Sequence, residues 1–208
     1  MIEFTSADPS AVRSVRQRDL LNAWLRALGA RPGLPARGDY QPDRIADELI
    51  DMMEFDVHGE GEPARFLITH EGARLTATYG NEDVEPAKRT NRYLDDAIGP
   101  ERYAHVVSIY RVCVAHKRPV FSISTVQDAD GKDVSYERLL LPFGREGRVE
   151  QIVGSYKTIS IEGAFKINNL MGLRPKATPE ILVRAIIDRD FVPRRVDSDG
   201  SNDLLEIS

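Results

Sequence analysis

Apolar residues recur at helical spacing at the start of the chain. Asp8 followed by Pro9 is a cap and first-turn signal, and Gly29 is a stop signal. Between these signals the helical spacing is kept by Val12, Val15, Leu20, Leu21, Trp24, Leu25 and Leu28. The pattern predicts one amphipathic helix over residues 9–28, within an N-terminal unit of residues 1–30. A second helix is expected to begin near Pro42.

From residue 52 the spacing shortens to an alternation that is typical of strands. The segments MMEFDVH and ARFLITHEG are joined by the turn residues GEGEP and predict a β-hairpin. Further along, PVFSISTVQ, SYERLLLPF and VEQIVGSYKTISI are separated by DADGKD and GREGR. These three segments predict a meander. Together the two groups predict an α+β domain with a five-stranded antiparallel sheet.

Two more helices are predicted around the meander. Pro100 opens one over residues 100–117, with a core-facing stripe at Val106, Ile109, Tyr110 and Cys113. Thr178 and Pro179 predict the cap of a final helix that carries Ile181, Leu182, Ala185 and Ile186.

These elements divide the chain into four parts. We expect a domain over residues 31–161, a C-terminal extension with a helix over residues 162–192, and a mobile tail over residues 193–208 after the N-terminal unit.

Both faces of the predicted sheet carry apolar residues. Leu139 and Leu141 share one face with Phe143, while Tyr136, Arg138, Leu140 and Pro142 share the other. The helix of residues 100–117 serves one face. The second face requires the helix of residues 9–28, a partner subunit, or both. We expect a homodimer through the N-terminal helix and the outer sheet face; the alternative is a helix that covers its own sheet.

Composition and charge narrow the class of protein. A net charge of −5 with dispersed Lys and Arg argues against nucleic-acid binding. The absence of a long apolar run argues against membrane insertion, and the N-terminus lacks a signal-peptide pattern, so we expect a cytoplasmic protein. The single Cys113 excludes an intramolecular disulfide and fits a reducing compartment.

Several segments resemble PAS domains, and in particular the single-PAS proteins of α-proteobacteria. The resemblance is carried by Trp24 and Leu28, LPARGDYQP at 34–42, EGARL and TYG around Gly72 and Gly80, RYLDD at 92–96, RPV at 118–120, YERLLLP at 136–142 and the following IVGSY. YERLLLP is the most specific piece. Two departures are Ile50 and Asp51, where the family tends to have a Leu-Pro pair, and NEDVEPAKR after the TYG segment, where it tends to have a glycine.

The resemblance implies a curved sheet with short helices and a long connecting helix on one face, and a pocket between them. Such domains bind haem, flavin or small metabolites, or serve as dimerisation modules in signalling, so the cofactor stays unknown. The residues expected in the pocket are Tyr79, Tyr93, Ile109, Tyr110, Cys113, Phe121, Ile123, Leu139 and Leu141. Arg138 is a candidate contact for an anion, with pairing to a carboxylate as the alternative.

Other reactive side chains are weighed against structural roles. Cys113 lies in the apolar stripe and is expected to be a buried, inert thiol. Haem-binding PAS domains take an axial His from the connecting helix, which makes His105 and His116 candidates, although both fall at the border of the stripe. His58 and His70 alone make a poor metal site.

Three functional hypotheses follow. The first is a stand-alone PAS-type sensory or adaptor module that binds a small ligand, a signalling protein, or both. The second is a small cone-shaped α+β enzyme for a hydrophobic substrate, which would need Asp56 or Glu137 enclosed in a dry cavity; no catalytic motif supports it. The third is an interaction protein that docks through its final helix and the tail DLLEIS.

Overall fold

Eight strands form one sheet in the computed structural model, which describes residues 4–30, 32–61, 63–73, 75, 91–127, 133–160 and 180–191. Along the sheet the order is β1-β8-β5-β6-β7-β2-β3-β4. The strands are β1 (Thr5–Ala7), β2 (Met52–His58), β3 (Arg65–Glu71), β4 (Arg92–Tyr93), β5 (Val120–Gln127), β6 (Asp133–Arg145), β7 (Arg148–Ser160) and β8 (Glu180–Ile187). The predicted α+β class is confirmed, but the sheet has eight strands where five were predicted.

The five predicted strands are neighbours in the middle of this sheet. β3, β2, β7, β6 and β5 pair in that order, and each pair is antiparallel. The three strands that sequence patterns missed all lie toward the sheet margins. β4 has two residues and β1 has three, too short for an alternation to be recognised.

The predicted C-terminal helix is wrong, because residues 180–187 form β8. This strand pairs antiparallel with β5 and parallel with β1. Its sequence, EILVRAII, has apolar positions that also fit a helix. However, Ile and Val branch at Cβ and favour strands, and the edge of β5 offers backbone partners that a helix could not use. Residues 162–179 and 192 of the predicted extension, and the whole predicted tail of residues 193–208, lie outside the described residues.

The helices α1 (Val15–Leu28), α2 (Ile45–Glu48), α3 (Leu94–Ile98) and α4 (Pro100–His116) accompany the sheet. Short 3-10 turns lie at Pro9–Ala11, Arg37–Asp39 and Leu49–Asp51. None of the described helices combines the length and apolar character that a membrane span requires.

The first helix begins later than the sequence predicts. Asp8 caps only a 3-10 turn, through its side chain and the N–H of Ser10. The chain is extended at Ser14, whose Oγ then accepts a hydrogen bond from the N–H of Gln17 at 3.5 Å. The two capping residues therefore divide the predicted helix into a turn and α1.

The two faces of the sheet support separate hydrophobic cores. α4 covers one face, which we call the inner face; its core includes Phe55, Phe66, Tyr110, Leu140 and Ile152. α1 covers the other, the outer face, with Leu20, Leu21 and Trp24 packed near Phe121, Leu139, Leu141 and Phe143. The outer face is therefore covered by the chain's own helix, which is the alternative that the sequence left open.

Polar contacts fix α1 on the outer face. The indole Nε1 of Trp24 donates to the carbonyl oxygen of Pro142 at 2.7 Å, and Nε2 of Gln17 donates to that of Ser155 at 3.1 Å. Pro142 lies beyond the part of β6 that pairs with β5, so its missing N–H leaves no gap in that ladder.

A buried ion-pair network lies beside these contacts. Nζ of Lys157 on β7 lies 2.6 Å from a carboxylate oxygen of Glu48 and 2.6 Å from one of Asp51. Glu48 also pairs with Arg16 of α1 at 3.0 Å. The network therefore joins α1, the turn that follows α2, and β7.

Candidate functional site

The inner face of β6 and β7 holds a buried arginine among three tyrosines. The alternation of β6 places Tyr136, Arg138 and Leu140 on this face. Arg138 is only 4% exposed. Its Nη2 donates to the hydroxyl oxygen of Tyr136 at 3.3 Å.

The three rings surround the guanidinium at similar distances. Its central carbon lies 5.4 Å from the ring centroid of Tyr136, 5.7 Å from that of Tyr156 and 5.9 Å from that of Tyr110. A desolvated cation over an aromatic face is stabilised by about 2 kcal/mol. The tyrosines therefore provide an electron-rich environment for a charge that burial would otherwise destabilise.

The hydroxyl groups of Tyr110 and Tyr156 join the helix to the sheet. Their oxygens are 2.6 Å apart, so one donates to the other. Burial raises the pKa of Tyr110, and the positive charge of Arg138 and the bond to Tyr156 oppose this rise. The direction of the shift means that Tyr110 stays protonated at neutral pH and can donate a hydrogen bond.

The absence of a side chain at Gly154 leaves room for the ring of Tyr156. A Cβ at Gly154 would lie 2.9 Å from Oη of Tyr156, 3.0 Å from its Cε2 and 3.2 Å from Cδ2 of Leu140. The ring of Tyr156 thus lies across the space that a side chain at position 154 would fill. The glycine of IVGSY serves the packing of the cluster.

An apolar wall completes the surroundings of Tyr110. Its ring packs edge-on against Phe55, with centroids 5.2 Å apart, and tilted against Phe66 at 5.1 Å. One turn further along α4, the thiol of Cys113 is fully buried, and its Sγ is 3.6 Å from the carbonyl oxygen of Arg118. Burial raises the pKa of this thiol, so it stays protonated and unreactive.

All residues of this cluster lie within a segment of the chain that matches a model of a known protein family. A model described as PAS domain matches residues 12–157, which is more than half of the chain. The chain belongs to the PAS domain family. A search of curated proteins gave no match.

The structure divides the expected PAS pocket between the two faces of the sheet. Ile109, Tyr110 and Cys113 lie together on the inner face. Phe121, Ile123, Leu139 and Leu141 instead belong to the core under α1. The reason is register: Phe121 pairs with Leu139 and Ile123 with Glu137, so these positions share the face opposite to Arg138. The alternation gave the two sets correctly but could not show which set α4 covers.

The two remaining tyrosines of the expected pocket do not join this cluster. Tyr93 is half-buried at the β3–β4 margin, where its hydroxyl lies 2.8 Å from Nδ1 of His58 and its ring lies under the guanidinium of Arg65. Tyr79 lies outside the described residues. The cluster instead includes Tyr136 and Tyr156, which the sequence prediction omitted. The sequence did indicate both residues: Tyr136 shares a strand face with Arg138, and Tyr156 ends the IVGSY segment that resembles PAS domains.

The haem-ligand candidates do not point into the inner core. His105 and His116 are both exposed on α4. His58 and His70 lie at opposite ends of the β2–β3 hairpin, since His58 pairs with Arg65 and His70 with Glu54. Among the described residues, no group of three or more His, Cys, Asp or Glu side chains is placed to hold a metal ion.

The enzyme hypothesis requires Asp56 or Glu137 to be enclosed in a dry cavity, and neither residue meets this requirement. Asp56 is partly exposed and accepts a hydrogen bond from Nε2 of Gln151 at 2.9 Å. Glu137 is 5% exposed, but it lies on the outer face and is the register partner of Lys157. Burial raises its pKa, and the positive charge of Arg13 lowers it. Asp56 is therefore not enclosed, and Glu137 has basic residues near it.

Proposed function

We propose that the chain is a PAS-type sensory module of bacterial signal transduction that binds a small anionic ligand on the inner face of its sheet. The observation that carries this proposal is the burial of Arg138 among Tyr110, Tyr136 and Tyr156. A guanidinium can bind a carboxylate or phosphate through two parallel hydrogen bonds. In a site of low polarity such a bond is stronger than in water.

The three tyrosines indicate which chemical groups the ligand carries besides its anionic group. Their rings present flat apolar surfaces, and their hydroxyl groups can donate or accept hydrogen bonds. The wall of Phe55 and Phe66 extends the apolar surface behind Tyr110. The ligand class that fits is a small molecule with one anionic group and an apolar or aromatic body.

Thermal unfolding in the presence of fractionated cell extract tests this function. The anionic metabolite fraction is expected to raise the melting temperature of the wild-type chain, while the cationic and neutral fractions leave it unchanged. A ligand at 100 times its Kd stabilises the folded state by about 2.7 kcal/mol. Arg138→Gln is expected to remove the response, and Arg145→Gln, at an exposed arginine, to keep it. An equal response of all three proteins would exclude Arg138 as the contact.

The homodimer that the sequence predicts remains part of this proposal, on a different surface. The apolar side of α1 is buried against its own sheet, and Leu21 is fully buried. The outer face still exposes Ile159 to 39% and Val183 to 36%. We call these two residues the outer margin. A second subunit or a signalling protein that covers the outer margin would remove this apolar surface from water.

A further inference from the structure

A groove of about 350 Å³ lies at the C-terminal end of α1, apart from the inner-face cluster. Leu25 and Leu28 of α1 and Ile187 of β8 contribute apolar surface to it. Residues 116–118, at the end of α4, and residues 188–190, after β8, contribute charged side chains. The groove therefore combines an apolar floor with a charged rim.

The rim carries more cationic than acidic side chains. Asp188 is engaged by Arg118, with Nη1 and Oδ2 2.6 Å apart, and Asp190 lies 3.6 Å from Nε of Arg189. Lys117 then adds a further positive charge to the rim. In a chain with a net charge of −5, this groove is a local site of attraction for acidic groups.

Lys117 occupies a backbone conformation that favours glycine. Its φ is 54° and its ψ is 34°, in the left-handed region, and its N–H donates to the carbonyl oxygen of Cys113 at the end of α4. Glycine is the usual residue at such a helix end, and a lysine there is strained. This strain is expected where the lysine ammonium group has a binding role at the rim of the groove.

We propose that this groove receives residues 203–207 of the same chain, whose sequence is DLLEI. Leu204, Leu205 and Ile207 supply apolar side chains for the floor, and Asp203 and Glu206 supply carboxylates for the rim. The segment is therefore complementary to the groove in both apolar character and charge.

The connection to the groove is short enough for this contact. The described chain ends at Phe191, directly after the residues 188–190 that form part of the rim. The 11 residues from 192 to 202 can span at most about 36 Å. A tethered segment at this length has an effective concentration in the millimolar range, so weak intrinsic binding is sufficient.

Hydrogen–deuterium exchange of the full chain tests the proposal. The probe is the backbone amides of residues 203–207, compared with a synthetic peptide of residues 200–208. For an intrinsic Kd of about 0.1 mM, the tethered segment is expected to exchange about tenfold more slowly than the free peptide. Lys117→Glu is expected to return exchange to the rate of the free peptide. Arg145→Glu reverses an exposed charge outside the groove and is expected to leave the protection unchanged.

A charge exchange separates docking from a general loss of structure. Adding Glu206→Lys to the Lys117→Glu chain restores opposite charges and is expected to recover part of the protection. Exchange at the free-peptide rate in the wild-type chain would overturn the proposal, and so would protection that survives Lys117→Glu. Protection that increases with protein concentration would assign the groove to the segment of a second copy and would also contradict docking within one chain.

Discussion

At the scale of single residues, Gly154 is the position on which the inner-face cluster depends most. We expect Gly154→Ala to displace the hydroxyl of Tyr156 from that of Tyr110, because the new Cβ would lie 2.9 Å from Oη of Tyr156. Overpacking of this kind costs about 1–3 kcal/mol in the free energy of unfolding. Urea denaturation followed by circular dichroism measures this cost.

Gly38→Ala is the matched control for this substitution. A Cβ at Gly38 would have no neighbour within 4 Å, and the residue has no positive φ. Its effect should stay within about 0.5 kcal/mol. Equal stability of the two variants would show that the space beside Tyr156 is not restricted.

Glu137 gives a pH-dependent prediction at the same scale. Burial raises its pKa above the ordinary value of 4.5, so the charged form is less favourable in the folded chain. The contribution of Glu137 to stability is thus fully present below pH 4.5 and is lost as the pH rises through its folded pKa. Relative to Glu137→Gln, the wild-type chain should lose stability on going from pH 4.5 to neutrality. A difference between the two unfolding free energies that does not change with pH would contradict this assignment.

At the scale of elements, the two long strands of the meander could be predicted from the sequence. The helices that cover each face and the strand β8 could not. The alternation of β6 and β7 separates Arg138 from Leu139 without knowledge of the fold. Which helix covers which face depends on tertiary packing, and therefore Leu139 and Phe121 were assigned to the wrong side. β8 was mistaken for a helix because an apolar pattern in eight residues is compatible with both structures.

The network around Lys157 gives a prediction for the attachment of α1. Lys157→Met would leave the carboxylates of Glu48 and Asp51, which are 4% and 1% exposed, without this ammonium group. Breaking a buried ion pair by removal of one partner costs about 3–5 kcal/mol. Denaturant unfolding at neutral pH measures the loss. Arg145→Met removes an exposed cationic side chain outside the network and serves as the control; if both variants lost the same stability, the network would not hold α1 in place.

At the scale of the whole molecule, α1 and the outer margin have different expected roles. Leu21→Ala is expected to cost about 2–5 kcal/mol, because the side chain is fully buried within one chain. Asn22→Ala, at the exposed neighbouring position of α1, should have little effect. Chemical denaturation compares the two variants. A Leu21→Ala chain as stable as Asn22→Ala would contradict the packing of α1 on its own sheet.

The oligomeric state tests the role of the outer margin. We expect light scattering to give the mass of a dimer for the wild-type chain and that of a folded monomer for Val183→Glu, because a buried carboxylate would oppose association. Ser6→Glu, at an exposed position of β1, is the control and should remain a dimer. A wild-type monomer at tens of micromolar would refute the proposed dimer.

The PAS fold was accessible from sequence because the meander and YERLLLP are local patterns, whereas the binding cluster is not local. Tyr110 on α4 meets Tyr156 on β7 only through the packing of the helix on the sheet. Native mass spectrometry of freshly purified protein shows whether Arg138 holds a ligand. We expect a small anionic molecule to be retained by the wild-type chain and by Arg145→Gln but lost from Arg138→Gln. A wild-type chain that carries no small molecule, or one retained equally by Arg138→Gln, would contradict this expectation.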